Sequence, residues 1–192
     1  MGSEMCIRDR VFMKATGIVR RIDELGRVVI PKEIRRTLRI KEGDPLEIFT
    51  ERDELMLKKY SPIATLDKFS EATARTLSDL SGLLTVIADT DEILSAVGEG
   101  KRGLGRHLSR EMDRVLRERR SYLADRSDGG AVLPVTEGEE TDAYYAQLII
   151  PIVSGRDCLG AGVLLSVKEG VKIEPASIKL AQLTEDMLAT QF

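Results

Sequence analysis

Nine basic side chains crowd residues 14–41: Lys14, Arg20, Arg21, Arg27, Lys32, Arg35, Arg36, Arg39 and Lys41. Three acidic ones oppose them, Asp23, Glu24 and Glu33, leaving a local net charge of +6. Arginine presents a planar fork that meets phosphate oxygens bidentately and also reads guanine edges, so the chemistry on offer is recognition of a polyanion. Lys32, Arg35, Arg36 and Arg39 recur at i, i+3, i+4 and i+7, the spacing of one helix stripe. Such a stripe is often an ordinary solvated face. Here acidic partners four residues away are sparse and Arg20, Arg21 and Arg27 add to the same segment, a crowding of like charge that costs stability unless an anion receives it. No aromatic residue interleaves the cations, which disfavours a platform for stacking single strands and favours duplex DNA over RNA.

Other residues of chemical interest carry weaker signals. Gly98-x-Gly100-x-x-Gly103 follows an apolar run, and Asp125 lies 22 residues beyond Gly103, which imitates a dinucleotide-binding fingerprint. The run before it reads as the second arm of a hairpin, so the parallel βαβ context is missing and nicotinamide binding is not expected. The alternative role is a loop beside a small-molecule pocket, with Lys101, Arg102 and Arg106 as nearby cations. His107 is the single histidine and reads as structural. Cys158 has neither a second cysteine nor a histidine beside it in sequence, and Glu139-Glu140 lacks metal-ligand spacing. Neither a catalytic centre nor a metal site is expected.

The elements that must position these groups divide by charge. Residues 13–60 hold 12 basic and 9 acidic side chains, a net of +3, whereas residues 61–192 hold 15 and 21, a net of −6. The 192-residue chain nets −3, so its overall acidity averages over a basic module and an acidic domain. Hydrophobic residues make up 42%, which excludes wholesale disorder, and no run of 18 apolar residues suggests a membrane span. Two cysteines without a CxxC exclude a disulfide scaffold. Residues 1–12 (GSEMCIRDR and its flanks, with Cys6) have no periodicity and read as a translated sequencing adapter, with the native start near Met13.

In the basic module, Ile18-Val19 is a short apolar run. Asp23-Glu24-Leu25-Gly26 is turn chemistry with Gly26 at positive φ, and Val28-Val29-Ile30 reads as a strand stopped by Pro31. A small helix carrying Ile34 and Leu38 follows, then strands at Leu46–Thr50 and Leu55–Lys59. About 48 residues of short strands bury little apolar surface alone and leave sheet edges open, which points to an obligate dimer in which two copies complete one sheet. Residues 61–65 form a linker at Ser61-Pro62. From 66 to 192 the pattern predicts a helix over about 66–81 with Leu66, Phe69, Thr73, Leu77 and Leu80 on one face. Strands are expected at Leu83–Ala88 and Ile93–Val97, a charged helix at about 106–119, and strands at Tyr122–Ala124, Ala131–Val135, Ala146–Val153 and Leu159–Val167. A last helix starts near Pro175 and carries Ile178, Ala181, Leu183, Met187 and Leu188. The fold-level reading is α+β with an antiparallel sheet.

The run Met13-Lys14-Ala15-Thr16-Gly17-Ile18-Val19-Arg20-Arg21-Ile22-Asp23-Glu24-Leu25-Gly26-Arg27-Val28-Val29-Ile30-Pro31 resembles the AbrB-type swapped-hairpin DNA-binding domain. The likeness continues through Glu33–Leu38, Glu47-Ile48 and Leu57–Tyr60. With its acidic half, the chain resembles two-domain sporulation regulators of spore-forming bacteria, in which this module precedes a GAF-type domain. The resemblance implies an interlocked N-terminal β-barrel dimer, and a GAF-like sheet with flanking helices that associates further, to a tetramer. It also implies a transcription regulator, not an enzyme, working on double-stranded DNA in the cytoplasm of the forespore. On matching positions the DNA-contacting residues are Arg20, Arg27, Arg35 and Arg36, with Lys14, Arg21, Lys32 and Arg39 in support. No cofactor is implied beyond an unidentified small molecule near Gly98, Gly100 and Gly103. Two other classes stay open: an antitoxin-like autoregulator, which would carry a short disordered tail, and a GAF-like enzyme such as a thiol reductase, which would need a reactive cysteine pair.

Overall fold

A computed structural model describes residues 16–99 and 106–191, without the side chains of residues 66 and 67. Residues 1–12 with Cys6, Lys14, and Gly100, Lys101, Arg102 and Gly103 lie outside the described residues, as does the side chain of Leu66. Packing divides the chain after Gly43.

The first unit is built around one turn and one helix. Asp23 to Gly26 closes as expected, the Gly26 amide donating to Asp23 O at 3.0 Å with Gly26 at φ 75°. Pro31 caps α1 (Lys32–Thr37), its fixed φ of −58° suiting the start of a helix. Val28-Val29-Ile30, expected as a strand, joins no sheet among the described residues. β-branched residues supply propensity, but a strand exists only with a ladder partner. The four-cation stripe is also shortened: α1 ends at Thr37, and Arg39 turns into the left-handed region at φ 52°.

The second unit begins with an antiparallel hairpin, β1 (Leu46–Glu51) and β2 (Glu54–Lys59), in register from Leu46↔Lys59 to Glu51↔Glu54. A 3₁₀ turn (Ile63–Leu66) leads into α2 (Asp67–Ser81). Then come β3 (Leu84–Asp89), β4 (Ile93–Val97), α3 (Arg110–Glu118), β5 (Tyr122–Asp125), β6 (Ala146–Ser154), β7 (Asp157–Ser166) and α4 (Pro175–Ala189). The five strands order as β4-β3-β7-β6-β5, with every neighbouring pair antiparallel. Because β4 is an edge strand folded back on β3, the Gly98 motif has no parallel crossover, as its sequence context implied.

Strand alternation sorts the core onto two faces. On one, Val86, Ile149, Val163 and Leu165 pack with Met112, Val115 and Leu116 of α3. On the other, Leu148, Ile150 and Leu164 pack with Leu77 of α2 and Ala181 of α4, continuing to Ala74, Ile87, Ile152 and Leu188. Glycines in β7 permit the close approach: a Cβ on Gly160 would overlap the Ala88 carbonyl, and one on Gly162 would overlap the Glu185 carboxyl.

Three expectations are corrected here. Ala131–Val135 is not a strand: β6, beside which it lies, already pairs with β5 and β7 and has no free side. The Gln147 side chain holds that segment instead, accepting from Leu133 N at 2.8 Å and donating to Leu133 O at 2.9 Å. The charged helix starts at Arg110, not 106, because the Ser109 hydroxyl caps it by accepting from Met112 N at 3.0 Å. In α2 and α4 the inward stripes are Ser70, Thr73, Ala74 and Leu77, and Ala181, Glu185 and Leu188. Phe69, Leu80, Leu183 and Met187 are exposed.

Candidate nucleic-acid interface

The turn in the first unit does more than reverse the chain. One Asp23 carboxylate oxygen accepts from the backbone amides of Leu25 (3.0 Å) and Arg27 (2.8 Å), while the other accepts from Arg27 Nε at 2.7 Å. These bonds from Arg27 and Leu25 hold the Asp23 carboxyl below its ordinary pKa. Arg27 is thereby gripped at one edge of its guanidinium, and its side chain stays largely open to solvent. Sequence reading placed Asp23 in a turn and missed this positioning role. The signal was present as Asp at i and Arg at i+4 across a glycine.

Arg20, Arg21, Arg27, Lys32, Arg35 and Arg36 are all exposed. Arg20 makes a local bond to Val19 O at 3.1 Å. Arg39 is half-buried and has its own interactions, so it stands apart from the others. The structure thus sets Arg20, Arg21 and Arg27 on the arms of the turn, and Lys32, Arg35 and Arg36 on α1. Lys14 lies outside the described residues.

A second place of interest lies in the five-stranded unit. An open cleft of about 670 Å³ is lined by Glu99, Arg106, Glu139, Glu140, Tyr144 and Tyr145 among others. Glu99 and Arg106, both in the lining, flank in sequence the candidate loop 100–105, which lies outside the described residues. Its charges are mostly engaged. Glu139 accepts from Val135 N (2.6 Å), Thr136 N (3.0 Å) and the Tyr144 hydroxyl (2.8 Å), Arg106 donates to Glu137 O (3.2 Å), and Lys168 pairs with Glu99 at 2.8 Å. Gly98 itself has a packing reason: at φ 122° its Cα passes so close to Leu84 that a side chain would not fit.

Cys158 is half-buried, its sulfur donating weakly to Gly160 O at 3.5 Å, and burial pushes the thiol pKa up. A raised thiol pKa means little thiolate at neutral pH, the reverse of what a reductase needs. His107 Nδ1 lies 3.6 Å from Asp91 Oδ1 beside a turn packed with carboxylates. There, burial and the neighbouring Asp89 and Asp91 charges raise the Glu92 pKa. Among the described residues, no group of three or more His, Cys, Asp or Glu is placed to hold a metal ion. No described helix is long and apolar enough to cross a membrane. Sequence reading also missed Glu185, which is 2% exposed on α4 with neither carboxyl oxygen bonded among the described residues. Burial, assisted by Asp186, pushes its pKa up to about 8.

Comparison with known proteins follows this division. Residues 65–192 match the family described as stage V sporulation protein T C-terminal, transcription factor. Residues 19–65 match the family described as antidote-toxin recognition MazE, bacterial antitoxin. The chain is similar to stage V sporulation protein T of Bacillus subtilis, 49% identical over 156 residues that cover 80% of this chain and 85% of that protein. It is also similar to the transition state regulatory protein AbrB of Bacillus subtilis, 46% identical over 88 residues that cover 45% of this chain and 92% of that protein. The GAF domain of an Acinetobacter phosphoenolpyruvate-protein phosphotransferase covers 65% of this chain and 80% of that chain, at a TM-score of 0.53 and 17% identity, and so shares the fold of the five-stranded unit. A basic AbrB-like unit joined to an acidic GAF-like sheet, related along most of its length to one sporulation regulator, places the chain in the stage V sporulation protein T family.

Proposed function

We propose that this protein is a sporulation transcription regulator that binds duplex DNA as a swapped-hairpin dimer through residues 13–60. Residues 66–192 form the regulatory domain, and of the expected linker 61–65 Ile63 belongs to its core, buried against Ala74, Ile87, Ile152 and Leu188. The observation that carries the reading is the first unit's combination of exposed arginines and uncovered apolar residues. Arg20, Arg27, Arg35 and Arg36 face solvent, with Lys14, Arg21, Lys32 and Arg39 in support. Val19, Ile22, Val28 and Val29 beside them are exposed as well. A second copy that covers those apolar residues completes the missing ladder for Val28–Ile30 and sets both arginine sets on one DNA-facing surface.

The GAF-like unit supplies small-molecule sensing at the cleft lined by Glu99 and Arg106, which neighbour the Gly98, Gly100 and Gly103 motif in sequence. It also supplies association to a tetramer through the exposed apolar faces of α2 and α4, where Phe69, Leu80, Leu183 and Met187 lie uncovered. The working place is the forespore cytoplasm, on the nucleoid. The family's transcription-factor description and the raised Cys158 pKa speak against an enzyme. The antitoxin resemblance covers residues 19–65, whereas the relation to a regulator runs through the folded acidic domain, where a disordered toxin-binding tail would otherwise stand.

Affinity for a duplex, measured across a salt series, tests the reading. Four arginines per chain on phosphates contribute about −7 to the slope of log K against log salt in a dimer. Changing Arg27, Arg35 and Arg36 to glutamine flattens most of that contribution. Binding that ignores both salt and these substitutions removes the proposed DNA surface.

A further inference from the structure

The acidic half of the chain carries a cationic line that the DNA-binding unit does not account for. Residues 61–192 net −6, yet α3 places Arg110, Arg114 and Arg117 at i, i+4 and i+7. Met112, Val115 and Leu116 are the buried side of this helix. At 100° per residue the three arginines therefore cluster around the direction opposite the core, pointing straight into solvent. All three are exposed. No acid interrupts the line: Glu111 and Glu118 fall on one flank and Asp113 on the other. Arg117 approaches Asp113 at 3.8 Å, while no hydrogen bond or ion pair engages Arg110 or Arg114 among the described residues.

Two features make the line costly to the helix by itself. Like charges four apart repel, and Arg110 occupies the first turn, where the helix dipole disfavours a cation. Protein surfaces intersperse signs, whereas a duplex offers an unbroken row of one sign. The three arginines span about 10 Å of helix axis, along which duplex DNA carries about six phosphates.

We propose that the outward face of α3 is a second duplex-DNA contact, with Arg110, Arg114 and Arg117 on backbone phosphates, adding non-specific affinity to the site read by the N-terminal unit. This rests on the DNA-binding function proposed above. It gives the regulatory domain a direct hold on DNA, so a change in that domain alters DNA affinity without passing through the linker.

The test uses the full chain with Arg110, Arg114 and Arg117 all changed to glutamine, beside a triple lysine variant and an N-terminal control, Arg35→Gln with Arg36→Gln. On a duplex longer than the core site, the glutamine triple variant flattens the log–log salt slope by about 5 in a dimer, and the lysine variant restores it. Relief of like-charge repulsion offsets loss of the exposed Arg117–Asp113 pair, so thermal stability stays close to that of the wild type, which separates the effect from misfolding. An unchanged slope overturns the proposal. So does a change of oligomeric state without DNA, measured by light scattering, because the line then meets another copy of the chain. If the N-terminal control is also without effect, DNA binding itself fails, and that outcome is distinct from failure of the α3 contact alone.

Discussion

Two stretches of one chain follow opposite rules of stability. From Ile63 onward, β3, β6 and β7 carry almost continuous buried runs between helices on both faces. From residue 16 to 62 no described residue is buried, and Val19 and Val29 are 84% and 74% exposed. The acidic unit makes its core from its own residues. The basic unit has comparable β-branched material but, among its described residues, no second layer to set against it, and the proposed dimer supplies one. A region that must lie on DNA benefits from this arrangement, because association sets two arginine surfaces at a fixed separation.

The contrast breaks most visibly at the apolar residues of the basic unit. Replacing both Val19 and Val29 with aspartate puts charges where a second chain must pack. DNA affinity is expected to fall by about 100-fold or more, while calorimetry still shows cooperative melting of the acidic unit. Retained binding would show that the basic unit stands without a partner.

Inside the acidic unit the sharper test is Glu185. Its folded pKa of about 8 lies above its ordinary value of 4.5, so the folded state holds a proton that the unfolded chain has released. Stability therefore declines as pH rises from the ordinary value toward 8. Glu185→Gln is expected to remove that slope and to stabilise the unit by roughly 3 kcal/mol at pH 7, with the gain vanishing near pH 4.5. Denaturant titrations across this range check it, and a wild-type stability flat between pH 5 and 8 contradicts it. DNA binding by the basic unit gives no such slope from Asp23. A lowered pKa keeps its grip on Arg27 intact above the ordinary carboxylate value and releases it only as pH falls through the depressed value.

The smallest effect concerns that grip. Asp23→Ala leaves Arg27 in place but frees it to wander, and a small loss of DNA affinity is expected. Arg27→Ala is expected to cost more, because the charge itself is gone. Equal losses would show that Asp23 has no role beyond Arg27.

Much of this was legible in residue types. Asp23–Gly26, Pro31 before α1, the β1–β2 hairpin and the strands β3, β4, β6 and β7 follow from local turn chemistry and from short apolar runs bounded by turn residues, which act over a few residues. The arginines announce a polyanion by charge alone. The misreadings arose where a distant element decided. Ala131–Val135 has strand composition but meets a sheet with both edges of β6 taken, and Phe69, Leu80, Leu183 and Met187 are apolar yet face outward on helices whose inner sides are set by Ala74, Leu77, Ala181 and Leu188.

The sequence by itself determined the charge division, the turn that presents Arg27 and the order of the elements, because each depends on neighbours close along the chain. Tertiary structure alone decided that Glu185 lies over Gly162 with neither carboxyl oxygen bonded among the described residues, and that Val28–Ile30 finds no ladder partner among them. Those outcomes depend on which surfaces meet across the fold, and no local pattern records that.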